Sequence, residues 1–210
     1  MASSNSPRRA GTLTDFMRAR FGGLTGRLGR VLWQAGVHPD ALTFAGLVVV
    51  GVAGVVLADG HTFVAALILL AGTPLDALDG AVARAMGRQG KFGAMWDSTL
   101  DRYTDGFIFM GLAYHFSEQG EQLGLVLAMA AMLGSLLVSY TRARAEGLDV
   151  DCKVGLLTRM ERIVIILAML LTGWVMAGLW VLAVGTHITV AQRIWHVRGA
   201  LAAREGADSP

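Results

Sequence analysis

A single cysteine, Cys152, in 210 residues excludes an internal disulfide, and its place between polar residues reads as an incidental loop thiol rather than a nucleophile. Charge is scarce: 16% of residues are Asp, Glu, Lys or Arg against 54% hydrophobic, with a mean hydropathy of +0.52. That balance excludes an ordinary soluble domain and suits a polytopic all-α membrane protein. The first 30 residues lack a long apolar run and carry six arginines, so no cleavable signal peptide is expected. What the chain has instead is glycine, 27 in all, which supports close helix packing in a membrane, and ten methionines that packing accounts for without a cofactor.

Hydropathy predicts about six transmembrane helices: Ala41 to Ala58, Thr62 to Leu78, Phe92 to Phe116, Leu123 to Tyr140, Ile163 to Gly178 and Leu179 to Trp195. All 18 Lys and Arg then fall on one side, while the other side carries Asp59, Glu118 and Glu121. The positive-inside tendency therefore puts both termini in the cytoplasm. It also accounts for the pI of about 9.0 without a nucleic-acid partner. Residues 1–36 read as a cytoplasmic tail with an amphipathic juxtamembrane helix from Leu13 to Trp33, residues 37–198 as the membrane domain, and 199–210 as a disordered C-terminal tail.

Against this apolar background, four aspartates are conspicuous. Asp76 and Asp79 are three residues apart, and Asp97 and Asp101 four apart, so each pair shares one face of its helix. Two helices presenting two carboxylates each at the same end bring together an all-oxygen donor set of the kind magnesium or manganese prefers. Ordinary interfacial ion pairs with Arg84, Arg88, Lys91 and Arg102 are the alternative. Written out, the stretch is D-x2-D-G-x2-A-R-x8-G-x3-D-x3-D, filled by Asp76, Asp79, Gly80, Ala83, Arg84, Gly93, Asp97 and Asp101. This resembles the signature of the CDP-alcohol phosphotransferases.

The resemblance implies an enzyme that displaces CMP from a CDP-linked lipid, usually CDP-diacylglycerol, with an acceptor hydroxyl. It implies two Mg2+ or Mn2+ ions held by Asp76, Asp79, Asp97 and Asp101, with Asp101 also the general base. Gly80, Ala83 and Gly93 would let the nucleotide approach the backbone, with Asp79 beside it and Arg84 on a phosphate. Pro39, Asp40 and Thr43 match a P-N/D-x-x-T element near the nucleotide, although simple helix capping explains them as well. Small residues such as Ala128 to Gly134 permit the homodimer common in the family.

The acceptor is sought in the C-terminal half. Ser139-Tyr140-Thr141-Arg142-Ala143-Arg144-Ala145-Glu146, Arg159-Met160-Glu161-Arg162 and Thr189-Val190-Ala191-Gln192-Arg193 resemble elements of prokaryotic phosphatidylinositol-phosphate synthases. Guanidinium groups at the level of the aspartates suggest an acceptor with its own phosphate, inositol 1-phosphate by that resemblance. Ser139, Arg142, Arg159 and Arg193 are the candidate phosphate ligands, with Arg144, Glu146, Arg162 and Gln192 behind them. Their alternative is topology plus ion pairing of Arg144 or Arg162 with Glu146 or Glu161. Asp105 and Arg102 are expected to support the site or the fold rather than to touch substrate. Arg142 stands where the resemblance expects lysine, which keeps glycerol 3-phosphate or another alcohol in view. A cation or proton transporter is the reading from a different class, weakened by acids at helix ends and by the lack of an internal repeat.

Overall fold

The structure, a computed structural model, describes residues 26–86 and 91–207, and within them the side chains of all but 73–77, 79, 83–85 and 207. Every element among the described residues is helical. Residues 26–34 belong to α1, followed by α2 (Pro39–Ala58), α3 (Thr62–Ala85), α4 (Lys91–Glu118), α5 (Gln122–Glu146), α6 (Arg159–Thr172) and α7 (Val175–Ala207). The juxtamembrane helix expected from Leu13 is thus observed from residue 26, and its first half lies outside the described residues.

Local chemistry sets the boundaries. Pro39 opens α2 at its first turn, where its missing N–H costs nothing, and the His38 ring accepts a hydrogen bond from the Asp40 N–H at 3.3 Å. The cap is therefore His38, while Asp40 lies in the first turn beside the unpaired amides. Gly60 takes a left-handed φ of 83° and lets α3 start two residues later.

The expected border between the last two hydrophobic segments, near Gly178, is displaced. Gly173, at φ 77°, ends α6, and α7 starts at Val175. Gly178 lies inside α7, where a Cβ would press on the Met169 side chain of α6 at 2.5 Å. The glycine at the expected border is a packing contact.

Helix pairing follows a closed circuit: α2 packs on α3, α3 on α6, α6 on α7, α7 on α5, α5 on α4, and α4 back on α2. In that ring α4 and α6 stand opposite one another. The interior is filled by Leu57, Phe109, Leu112, Leu170, Leu179 and Leu182, all essentially inaccessible. Phe44, Val55, Phe63, Val126, Trp174 and Val181 point outward and are exposed. An apolar exterior of this extent suits a hydrocarbon solvent.

Three of the described helices, α2, α5 and α7, are long and apolar enough to cross a membrane, with a shorter apolar helix over Thr62–Gly72. α4 falls short because of the charged residues it carries, and α6 also because of its length. The first half of α4 holds Asp97, Asp101, Arg102 and Asp105, and α6 has 14 residues and opens on Arg159, Glu161 and Arg162. The tail expected to be disordered from residue 199 is helix through Ala207, with Ala200 and Leu201 packed over a small cluster of Ala145, Val150 and the buried Cys152.

Glycine carries two of the helix crossings. A Cβ on Gly111 of α4 would collide with the Gly54 carbonyl of α2, and one on Gly54 would lie 2.7 Å from the Phe107 carbonyl. On the other side of the ring a Cβ on Gly134 of α5 would overlap the Thr186 hydroxyl of α7. Backbone cannot rotate away as a side chain can, so Gly111→Ala must push α2 and α4 apart. It is expected to cost about 1–3 kcal/mol, readable as a lowered thermal unfolding midpoint in detergent. An unchanged midpoint would mean that α2 and α4 do not cross at these glycines.

Candidate functional site

The residues singled out in the sequence lie on the last turns of α3, the first turns of α4, the start of α6 and the facing stretches of α5 and α7. Asp76, Asp79, Gly80, Ala83 and Arg84 fall on the continuous helical backbone of α3, which keeps the spacing of one shared face for the two acids. The side chains of Asp76, Asp79, Ala83 and Arg84 lie outside the described ones. Next to Gly80, buried Ala81 receives α1: a Cβ on Gly29 would come within 2.8 Å of it, so α1 rests directly on the signature turn.

On α4 the small polar groups around the acids are turned back onto the helix. Ser98 and Thr99 both donate to the Met95 carbonyl, at 2.9 and 2.8 Å, and Thr104 donates to the Asp101 carbonyl at 2.7 Å. Their hydroxyls are thereby kept from competing for the carboxylates. Asp97 is exposed and Asp101 is mostly buried, and among the described residues a Cβ at Gly93 would meet nothing within 4 Å.

Two ion pairs run across the ring from α4 to α6. Arg159 Nη2 lies 2.6 Å from Asp101 Oδ1, and Arg162 Nη2 lies 2.9 Å from Asp105 Oδ2. Because 101 and 105 are one turn apart, as are 159 and 162, the pairs form two rungs of a ladder. The outer rung leaves the Arg159 side chain 41% exposed, whereas on the inner rung Arg162 is 4% exposed. Asp105 thus pairs with Arg162 and not with Arg102, whose guanidinium donates to the Ser98 carbonyl. A separation of 57 residues hides such a partner from any reading of local spacing.

The remaining candidates divide. Arg142 pairs with Glu146 at 2.9 Å on the exposed face of α5, where the alternative reading offers Arg144 or Arg162 as the partner of that glutamate. Pro39 is buried and Asp40 exposed, while the Thr43 hydroxyl donates to the Pro39 carbonyl at 3.1 Å, which is the capping alternative. Ser139 is half-buried. Arg193 is almost wholly buried, with Nε donating to the Val154 carbonyl at 2.9 Å and Nη1 to the Val138 carbonyl. It ties α7 both to the turn carrying Ser139 and to the loop between α5 and α6.

That loop is held by a row of α7 side chains that the sequence reading largely passed over. Thr189 accepts from the Leu157 N–H at 2.9 Å, and Gln192 from the Leu156 N–H at 3.0 Å. His196 meets the Asp151 carbonyl at 3.0 Å, and Arg204 donates to Asp149 at 2.6 Å and Leu148 at 3.2 Å. Their spacing along α7 puts them on one face, a periodic polar stripe that was the available signal. The stripe fixes the backbone that leads directly into Arg159.

Among the described side chains Asp101 holds a guanidinium at close range and Asp97 lies one turn before it on α4, but no three His, Cys, Asp or Glu are grouped. The oxygen chemistry of the two aspartates is of the class that hard divalent ions take, and the side chains of Asp76 and Asp79 lie outside the described ones. Fold and site together define a helical protein with apolar outer faces and an acidic, arginine-faced site at the ends of its helices.

The chain belongs to the CDP-alcohol phosphatidyltransferase family, whose model matches residues 36–191, and it is a transferase by that membership. It is 42% identical over 164 residues to the archaetidylinositol phosphate synthase of Methanothermobacter thermautotrophicus, covering 75% of this chain and 82% of that protein. Crystal structures of the phosphatidylinositol phosphate synthase of Mycobacterium tuberculosis are similar as well. One with CDP-DAG bound has a TM-score of 0.76 at 30% identity, covering 82% of this chain and 92% of that one. Another, in complex with manganese and citrate, has a TM-score of 0.77 at 30% identity, over 82% and 88%.

Removing one partner of a buried ion pair leaves the other charge without compensation. Asp105→Ala is therefore expected to destabilise by about 3–5 kcal/mol, the more so because Arg162 Nε is already buried without a hydrogen-bond partner. Denaturation in detergent reads the loss, and the double variant Asp105→Ala, Arg162→Met should recover most of it. Failure of the double variant to recover would mean that the rung is not an isolated pair.

Proposed function

We propose that the chain transfers the phosphatidyl group of CDP-diacylglycerol to the hydroxyl of a phosphorylated polyol, inositol 1-phosphate before others, and releases CMP. The observation that carries this reading is the Asp101–Arg159 contact, which joins a signature carboxylate to an arginine suited to an acceptor phosphate. The named relatives support it, together with the CDP-DAG and the manganese recorded for the tuberculosis synthase.

In this reading Asp76, Asp79, Asp97 and Asp101 hold two Mg2+ or Mn2+ ions, which when bound neutralise charge on the pyrophosphate and stabilise the attacking and leaving oxygens. Pro39, Asp40, Thr43, Asp79, Gly80, Ala83, Arg84 and Gly93 bind the CDP-lipid. The open space over Gly93 and the helical placement of Gly80 are compatible with a nucleotide lying against the backbone. Asp101 takes the proton of the acceptor hydroxyl as its oxygen bonds to the phosphatidyl phosphorus, and the bond to the CMP oxygen breaks.

Ser139, Arg142, Arg159 and Arg193 receive the acceptor's phosphate. An exposed i,i+4 pair is worth about 0.3–0.5 kcal/mol, too little for Glu146 to hold Arg142 back from a phosphate. Arg193 keeps Nη2 for the acceptor while Nη1 positions the turn of Ser139 and Nε the loop at Val154. Arginine rather than lysine at 142 keeps glycerol 3-phosphate as the alternative acceptor, since a planar fork and a point charge select different geometries.

The same reading gives the chain six membrane crossings within 37–198, with residues 1–36 and 199–210 flanking them and both termini and the aspartates on the cytoplasmic side of the cell membrane. A homodimer completes it. The connections at 59–61, 119–121 and 173–174 contain no Lys or Arg, whereas the loop before α6 and the end of α7 are basic.

Purified protein with CDP-diacylglycerol and magnesium should release CMP with inositol 1-phosphate and not with free inositol, glycerol 3-phosphate or serine. Asp101→Asn should lower that rate about 10²–10⁴-fold. Release with glycerol 3-phosphate alone would move the acceptor assignment and leave the donor in place. No release with any of them would end the reading.

A further inference from the structure

We propose that Arg159 is an exchangeable counter-ion: a divalent cation arriving at Asp101 hands Arg159 over to the acceptor's phosphate, so that metal and phosphate bind cooperatively. The proposal rests on the reading above in taking Asp101 as a metal residue and Arg159 as a phosphate residue. The coupling between them is argued from the ladder itself.

The two rungs are chemically alike and physically unlike. Arg162 is nearly inaccessible and its pair with Asp105 anchors α6 opposite α4, whereas Arg159 is 41% exposed and is the first residue of α6. The outer guanidinium can therefore leave its carboxylate by a side-chain rotation while the inner rung keeps the helix in register. That rotation is outward, into the solvent-accessible space its 41% exposure gives, because the cavity of about 80 Å³ beneath it is walled by Val50, Leu69, Ile163 and Leu167 and would not welcome a charge.

Charge supplies the direction. A guanidinium and a divalent cation drawn to one carboxylate repel each other, so occupancy by one weakens the other. Released from Asp101, a planar fork finds a better partner in a phosphate, which accepts two of its N–H groups at once. The row of α7 side chains that fixes Leu156 and Leu157 keeps the Arg159 backbone still, so the exchange involves only the side chain. Reciprocity then requires that phosphate tighten metal binding by the same factor by which metal tightens phosphate binding.

The test measures Mn2+ affinity of the full chain in nanodiscs, by the electron paramagnetic resonance signal of free Mn2+, with and without inorganic phosphate. In the unmodified protein phosphate is expected to tighten Mn2+ roughly tenfold, within the usual range of such couplings. Arg159→Gln should bind Mn2+ more tightly without phosphate and lose most of the phosphate effect. Arg159→Lys, which keeps the charge, should stay near the unmodified protein and guards against a merely misfolded variant. If Asp101→Asn weakens Mn2+ binding but Arg159→Gln leaves it unchanged, the exchange is wrong and the metal assignment stands. If Asp101→Asn has no effect either, both fall together.

Discussion

A guanidinium and a carboxylate, Arg162 and Asp105, lie between opposite walls of an apolar ring, and neither can be left there alone. Burying an unpaired ion is among the most costly things a fold can do, so the register of α6 against α4 is set by the need of these two groups to meet. From that register follows the outer rung. With Arg162 held, Arg159 one turn earlier reaches Asp101, one turn before Asp105. A buried pair of this kind adds little to stability compared with apolar residues of the same shape, but it admits fewer alternative alignments of the two helices.

α7 does comparable work on backbone rather than on charge. It is the longest of the described helices, and its outer half extends past the ring to meet the segment between α5 and α6. Thr189, Gln192, Arg193, His196 and Arg204 satisfy amides and carbonyls that have no helical partner, which an irregular segment beside an apolar bundle requires. Arg193 thereby has a structural duty whatever else it binds. The residues that deliver Arg159 are consequently spread over three helices and one loop.

The ring also reconciles a polar site with an apolar exterior. Glycine contacts at 54 and 111 and at 134 draw helix backbones close together, and the long side chains of Phe109, Leu112 and Leu182 fill the interior. Phe44, Phe63, Val126 and Val181 are left facing out. The acids and arginines gather where helices begin and end.

Much was legible in one dimension. Eight residues between Asp76 and Asp101 carried the family, because a donor set and its spacing are local along two helices, and Pro39 marked the start of α2 because a proline acts on its own turn. Long-range partners were not legible. Arg162 could have paired with Glu161, Glu146 or Asp105, and only the ring puts Asp105 within reach. Gly178 read as the border between two hydrophobic segments and proved to be a contact with Met169, while the tail from residue 199 read as disorder and proved to be helix through Ala207, since local composition cannot reveal a surface contributed by α5. What the sequence determined by itself was the chemistry and its helical spacing, through interactions within a turn or two of the chain. The partners of Arg159, Arg162 and Arg193 were decided only by tertiary structure, because an ion's partner depends on which helices stand opposite one another.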